Sequence, residues 1–479
     1  MLIQEKMYVN GEWIESFTQT WDEVTNPAND ELIGYIPSAN RVDASIAIEA
    51  ANEAFRIWSK MTAIERSNIM YSAYEQLLVM KEDIARIMTL EQGKPLAEAR
   101  NEIVMAADYL KWYAEEAKRV YGDTIPSSAK NKRLMVIRQP IGIVGAITPW
   151  NFPASMITRK IAPALAAGCT VVIKPAESTP FTAVEMFKAF HNAGFPKGVI
   201  NLITGNGPVI GEEFLENRKV RKIAFTGSTQ VGKYLYQKAS KQVKHISLEL
   251  GGHAPFIVFE DADIDFAVDS FIVSKFRNAG QTCICTNRLF VQESIQKKFT
   301  TKLIQKIAEM KIGNGFDENT DIGPLINRQS YEKVQSHVDD AVKKGGVILT
   351  GGNRCYVNGD KGYFYEPTII GQVNETMKIY YEETFGPVAP LITFASEDEV
   401  IQKANDSFYG LAAYIFTRDL SRTYRVLEEL EYGIVGVNDP IPGVVQAPFG
   451  GWKESGIGRE GGYYGMESFL EMKYASIGI

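Results

Sequence analysis

From Val42 to Lys118 apolar residues recur at helical spacing, first in the Ala-rich segment 43–59 and then in a long charged-and-apolar stretch from Ala63 onward. The opening third of the chain is therefore predicted to be mainly helical. Past Pro126 the period changes. A short apolar run at 134–137 is flanked by Lys132, Arg133 and Arg138, the pattern of a strand near the surface or an arm. Short β-branched runs separated by helical stretches follow at 143–147, 170–173, 199–203, 222–225 and 245–250. That alternation predicts βαβ units with right-handed crossovers, hence a parallel sheet with helices on both faces and a ligand crevice beyond its strand ends. A second alternation starts near Pro255 and continues through 289–291, 347–350, 389–394, 412–416 and 434–437, predicting a second α/β unit. Neither an internal repeat nor a low-complexity tract is visible.

Composition narrows the class. At 479 residues the chain exceeds one ordinary domain of about 100–200 residues, so two or three units are expected. With 45% hydrophobic and 23% charged residues and a net charge of −7, it reads as a globular chain without the basic footprint of a nucleic-acid binder. The first residues carry Glu5 and Lys6 and lack the basic-then-apolar design of a secretory signal. The uncharged stretch 139–158 is broken by Pro140, Pro149 and Pro153, so no membrane span is expected. Four cysteines, Cys169, Cys283, Cys285 and Cys355, are too few for a disulfide scaffold and suit a reducing compartment; the cytoplasm is the expected location. They form no metal-ligand spacing with His191, His245, His253 and His337, and no metal is expected.

Candidate chemistry gathers at strand ends. Gly205, Gly207 and Gly211 follow one predicted strand and open a helix, near the dinucleotide fingerprint but with an extra residue before the last glycine. Phe225-Thr226-Gly227-Ser228-Thr229 repeats that context, where a helix N-terminus and the Ser228 hydroxyl present donors to a phosphate. Lys174 and Glu177 end a strand with a cation and a carboxylate suited to the hydroxyls of an adenosine ribose, or equally to a solvated strand end. Cys283 and Cys285 lie in a polar, Gly-containing turn, as a reactive thiolate requires, although most cysteines are inert packing residues. Glu249 stands in a short apolar strand beside Gly251 and Gly252, where desolvation raises a carboxyl pKa and suits it to act as a base. Asn151, in Pro149-Trp150-Asn151-Phe152-Pro153, offers an amide donor at a rigid turn, fit for an oxyanion hole or a helix cap.

In this order and spacing the segments resemble the aldehyde dehydrogenase superfamily, over essentially the whole chain, through Glu382-Glu383-Thr384-Phe385-Gly386-Pro387 and Pro448-Phe449-Gly450-Gly451 to Lys473-Tyr474. The resemblance implies an α/β fold with a Rossmann-type NAD-binding domain in 1–124 and 140–251 and a second α/β catalytic domain in 252–450. It also implies a small β oligomerisation arm in 125–139 and 451–479, making a homo-dimer or homo-tetramer. By motif match Cys283 is similar to the nucleophile, Glu249 to the general base, and Asn151 with the Cys283 backbone N–H to the oxyanion hole. Trp150, Lys174, Glu177, Gly207, Gly227, Ser228, Leu250, Glu383 and Phe385 match cofactor-contacting positions. The implied chemistry is oxidation of an aldehyde to an acid through a Cys283 thiohemiacetal and thioester.

Met156-Ile157-Thr158-Arg159-Lys160 and Lys275-Phe276-Arg277-Asn278-Ala279-Gly280 resemble the succinate semialdehyde dehydrogenase branch, in which two arginines, here Arg159 and Arg277, grip the distal carboxylate. The branch's usual serine near the Pro-Phe-Gly-Gly motif is Gly443 here. A longer semialdehyde, a sulfonated, hydroxy- or neutral aliphatic aldehyde is therefore the alternative substrate. Glu177 implies NAD ahead of NADP, and the Cys283–Cys285 pair resembles a redox switch. On the residues alone a catalytically idle member and a cofactor-free thioesterase built on Cys283 and Glu249 stay open.

Overall fold

The computed structural model describes residues 2–357, 359 and 361–479. An eight-stranded sheet runs in the order Gly456–Ile457, His245–Glu249, Val220–Thr226, Ile143–Ile147, Thr170–Lys174, Ile200–Leu202, Met7–Val9 and Glu12–Ile14. The strands predicted between 143 and 250 form its parallel middle. The chain passes from Ile143–Ile147 outward to one side and returns through Val220–Thr226 on the other. Such a reversal opens a crevice beyond the carboxyl ends of those two strands. Thr170–Lys174 is buried throughout, which explains its unbroken Val-Val-Ile run, since helices cover both faces of the sheet.

Helices α1 (Arg41–Trp58), α2 (Ala63–Val79), α3 (Lys81–Gln92), α4 (Leu96–Glu116) and α5 (Ser155–Ala167) pack on this sheet and on each other. Asn40 with Asp43 and Thr62 with Glu65 close capping boxes at the starts of α1 and α2, satisfying amides that the helix cannot pair itself. All of α5 is buried, and the Trp58 indole N–H donates to Leu165 O at 3.2 Å. Residues ahead of Arg41, for which the sequence pattern predicts no element, form the strands Ile3–Gln4, Met7–Val9, Glu12–Ile14, Trp21–Asn26 and Glu31–Pro37. These are short or partly exposed strands that need distant partners, so their local pattern is weak.

The second sheet has seven strands, in the order Val347–Thr350, Thr368–Gly371, Val388–Phe394, Thr286–Gln292, Ala254–Val258, Ala412–Phe416 and Ile434–Val437. A third sheet pairs Leu470–Gly478 with Lys132–Pro140, and that strand with Asp123–Ile125. Segment 451–469, expected to belong with this arm, does not join it: Trp452–Lys453 pairs with Tyr409–Gly410, and Gly456–Ile457 extends the first sheet beside His245–Glu249. Among the described residues no helix is long and apolar enough to cross a membrane.

Candidate active site

The loop before strand Thr286–Gln292 carries Cys283. Asn278, Ala279 and Gly280 adopt φ of 50°, 54° and 73° in succession, a left-handed run that costs energy at the two non-glycine positions and persists only where neighbours hold it. They do so here: Gln92 Nε2 donates to Asn278 Oδ1 at 2.9 Å, and Asn278 N donates to Glu98 Oε2 at 3.0 Å. On the other side Gly252 lies so close that a Cβ there would stand 2.2 Å from Cys283 O. Cys283 is half-buried and lines two cavities, of about 390 and 290 Å³. Burial pushes its thiol up to about 12, with Arg159 acting in the opposite direction.

The larger cavity opens at the reversal point of the first sheet. Trp150, Asn151, Gly227, Ser228, Leu250, Glu383 and Phe385 all line it. The Trp150 and Phe385 rings meet edge to face at 5.5 Å, and Phe385 is held at a φ of 55°. Its wall also carries Thr226, whose buried hydroxyl has no partner. The Ser228 hydroxyl, predicted to face a phosphate, accepts from Val231 N at 3.4 Å and so caps its own helix. Glu383 accepts from Gly252 N at 2.9 Å, and burial raises its pKa to about 7. Lys174, Glu177 and Gly207 form a separate cluster: Glu177 Oε1 pairs with Lys174 Nζ at 2.6 Å and accepts from Gly207 N at 2.8 Å. Gln329, Ser330 and Lys333, also on the cavity wall, escaped the sequence reading. They sit at the start of helix Arg328–Lys343, far along the chain, and the only local signal there is a helix cap. A crevice at a strand-order reversal, with an orphaned hydroxyl and glycine-cleared backbone, fits a dinucleotide.

Arg159 and Arg277 line the smaller cavity with Tyr109, Phe152, Phe449 and Gly443. Arg159 is buried on α5, 3.9 Å from the centroid of the Phe449 ring, with Nε 3.1 Å from Glu460 Oε2. That ion pair occupies Nε, while one terminal nitrogen of Arg159 has no acceptor. The Arg277 guanidinium stands 5.4 Å from the Phe152 ring centroid and makes no ion pair among the described residues. A Cβ on Gly443 would meet nothing closer than Phe449 at 3.9 Å.

Asn151 Nδ2 donates to Gln281 O at 3.0 Å, leaving the second amide hydrogen available at the wall it shares with Cys283. Glu249 lines neither cavity. It is 4% exposed and packed so close to Gly450 that a Cβ there would come within 2.9 Å of its Oε1. Burial, then the neighbouring Glu460 carboxylate, pushes its pKa well above the ordinary range. Burial acts the same way on Glu460, but Lys160 Nζ at 2.6 Å and Arg159 outweigh it and hold that acid low. Cys285 is buried away from both cavities, with its Sγ donating to Gly280 O at 3.2 Å and accepting from Lys275 Nζ at 3.8 Å. Among the described residues no group of three or more His, Cys, Asp or Glu side chains could hold a metal ion.

Residues 13–475 match the aldehyde dehydrogenase family. The chain is 50% identical over 478 residues to a glutarate-semialdehyde dehydrogenase of Pseudomonas putida, covering 100% of this chain and 98% of that protein. It is also 50% identical, with the same coverage, to a succinate-semialdehyde dehydrogenase of Escherichia coli whose name specifies NADP(+). A crystal structure described as an E. coli NADP-dependent enzyme superposes with a TM-score of 0.98 at 50% identity, over 99% of this chain and 98% of that one. The expectation of NAD ahead of NADP gains no support from the two E. coli proteins, both described with NADP.

Proposed function

The chain belongs to the aldehyde dehydrogenase family, as an NAD(P)-dependent enzyme that oxidises aldehydes, and we propose that its substrate is succinate semialdehyde, oxidised to succinate. The observation that carries this reading is Arg159: a buried guanidinium with one terminal nitrogen that has no partner, on the wall of the same cavity as Cys283 and Arg277, which makes no ion pair among the described residues. Buried donors without acceptors are costly unless a ligand supplies them, and a carboxylate does so best.

In this reading Cys283 attacks the aldehyde carbon from the junction of the two cavities. The free Asn151 amide hydrogen and the Cys283 backbone N–H take the developing alkoxide. When bound in the larger cavity, NAD(P) supplies the hydride acceptor. Trp150, Gly227, Ser228, Leu250, Glu383 and Phe385 would hold that cofactor, and Lys174, Glu177 and Gly207 would hold its ribose. The thioester left on Cys283 is hydrolysed by a water that Glu249 deprotonates, after the carboxylate turns from its resting place against Gly450. The proposed cofactor domain is 1–124 with 140–251 and the proposed catalytic domain 252–450; the arm is 125–139 with the final strand. Exposed Ile137, Met472, Tyr474 and Ile477 on the arm's sheet suit pairing with another copy, in a homo-dimer or homo-tetramer. Its free cysteines suit the cytoplasm, and under oxidation by peroxide Cys285 forms a disulfide with Cys283, with water as the reduced product.

Two results test this reading. A base must be ionised, so the raised Glu249 pKa predicts that kcat climbs with pH through a midpoint above the ordinary carboxylate range; Glu249→Gln should lower kcat by about 10²-fold or more and abolish that limb. An unchanged limb contradicts the assignment. Glu177, which accepts from Gly207 N and pairs with Lys174, offers no donor to a 2′-phosphate and repels it. NAD should therefore outperform NADP by about tenfold in kcat/KM, a gap that Glu177→Ser should narrow. A wild-type preference for NADP would retire the NAD assignment alone.

A second reading draws on Gly443, whose open surroundings leave room for a longer semialdehyde or a bulkier anion. Gly443→Ser should fold normally and shift the glutarate-to-succinate semialdehyde ratio of kcat/KM downward by about three- to tenfold. An unmoved ratio would remove Gly443 from the specificity account.

A further inference from the structure

Behind the Asn151 turn lies a buried ion pair that touches neither the thiol nor the general base. Lys94, just past the left-handed Gly93 that ends α3, is 1% exposed along its side chain, and Glu102 on α4 is 2% exposed. Lys94 Nζ donates to Glu102 Oε2 at 2.5 Å and to the backbone carbonyl of Asn151 at 2.8 Å. The other oxygen of Glu102 accepts from Ala154 N at 2.9 Å and Ser155 N at 3.2 Å. One pair thus grips the turn 151–155 at its carbonyl end and at its amide end. Asn278 Nδ2 reaches the same Asn151 carbonyl at 2.9 Å while the Asn151 side chain donates to Gln281 O at 3.0 Å, so the turn and the nucleophile loop are cross-linked in both directions.

We propose that Lys94 and Glu102 are positioning residues for the oxyanion hole, fixing the Asn151 amide relative to Cys283 through the backbone of its turn. The inference rests on the reading of Asn151 as an oxyanion donor. The chemical logic is preorganisation: a donor stabilises a developing charge only if it is held where that charge appears, and a misplacement of about 1 Å costs about 10²-fold. A charged pair suits this task because Lys94 serves an acceptor and Glu102, which also borders the smaller cavity, serves donors on the same turn, and both side chains are almost fully buried.

The test is a double-mutant cycle on the full-length enzyme with its aldehyde and NAD(P). Asn151→Ala alone should lower kcat by about 10²–10³-fold, and Lys94→Met alone by about 10- to 100-fold. In Lys94→Met the KM for NAD(P) and the rate of Cys283 alkylation by iodoacetamide should stay unchanged, which a general loosening would move. In the Asn151→Ala background Lys94→Met should cost less than about threefold, because no amide remains to be positioned. If Lys94→Met does not fold, the paired Lys94→Met/Glu102→Gln variant, which leaves no lone buried charge, takes its place in the cycle. Additive losses, or a shifted NAD(P) KM, overturn the inference and leave the reading of Asn151 standing. A fully active Asn151→Ala overturns the reading itself.

Discussion

Replacing Cys283 with alanine is expected to lower kcat by about 10⁴-fold or more, because no other nucleophile lines both cavities and removing an attacking group from a covalent mechanism leaves only binding and oxyanion stabilisation. NAD(P) binding should persist, since the cofactor cavity is built mainly from the strand ends and loops of the first sheet together with Glu383 and Phe385. The check is kcat beside a cofactor titration by fluorescence. The buried thiol, with its pKa pushed up to about 12, adds a second expectation: in the cofactor-free protein its alkylation should be slow at neutral pH and accelerate on the alkaline side. Residual turnover within tenfold of wild type in Cys283→Ala would exclude a covalent thioester.

Arg277→Gln should lower kcat/KM for succinate semialdehyde by about 10- to 100-fold, the range of a lost hydrogen bond to a charged group. Turnover of butyraldehyde, which has no distal charge, should change by less than about threefold. Parallel steady-state assays of the two substrates read the difference. Arg277 is the cleaner of the two probes, because it makes no ion pair among the described residues. Arg159 lies against Glu460 and stacks on Phe449, so its removal mixes lost substrate contact with an altered buried charge cluster. Equal losses on both aldehydes would mean that Arg277 shapes the cavity instead of reading an anion.

The parallel cores were legible because burial on both faces writes itself into continuous β-branched runs. The strands Ile143–Ile147 and Ala412–Phe416 occur where the sequence predicts them. Short strands such as Ile3–Gln4 and Thr368–Gly371 were not, since their existence depends on partners distant in sequence. The candidate site divides the same way. Cys283, Asn151, Arg159 and Arg277 stand in motifs, whereas Lys333, on the cofactor wall, and Glu460, which sets the charge around Glu249 and Arg159, lie on segments with no local signature. Their significance comes only from the folded neighbourhood. The resting position of Glu249 against Gly450 was equally invisible, because a side-chain rotamer is settled by packing and not by the pattern of its strand.

The most direct test of the central claim follows NAD(P)H formation by the purified enzyme with succinate semialdehyde and butyraldehyde side by side, each with NAD and with NADP. The account predicts that the anionic aldehyde wins by more than about tenfold in kcat/KM, as two arginines facing one carboxylate require. Equal or reversed values with both cofactors would contradict it, and would leave a general aldehyde dehydrogenase whose Arg159 and Arg277 serve structure.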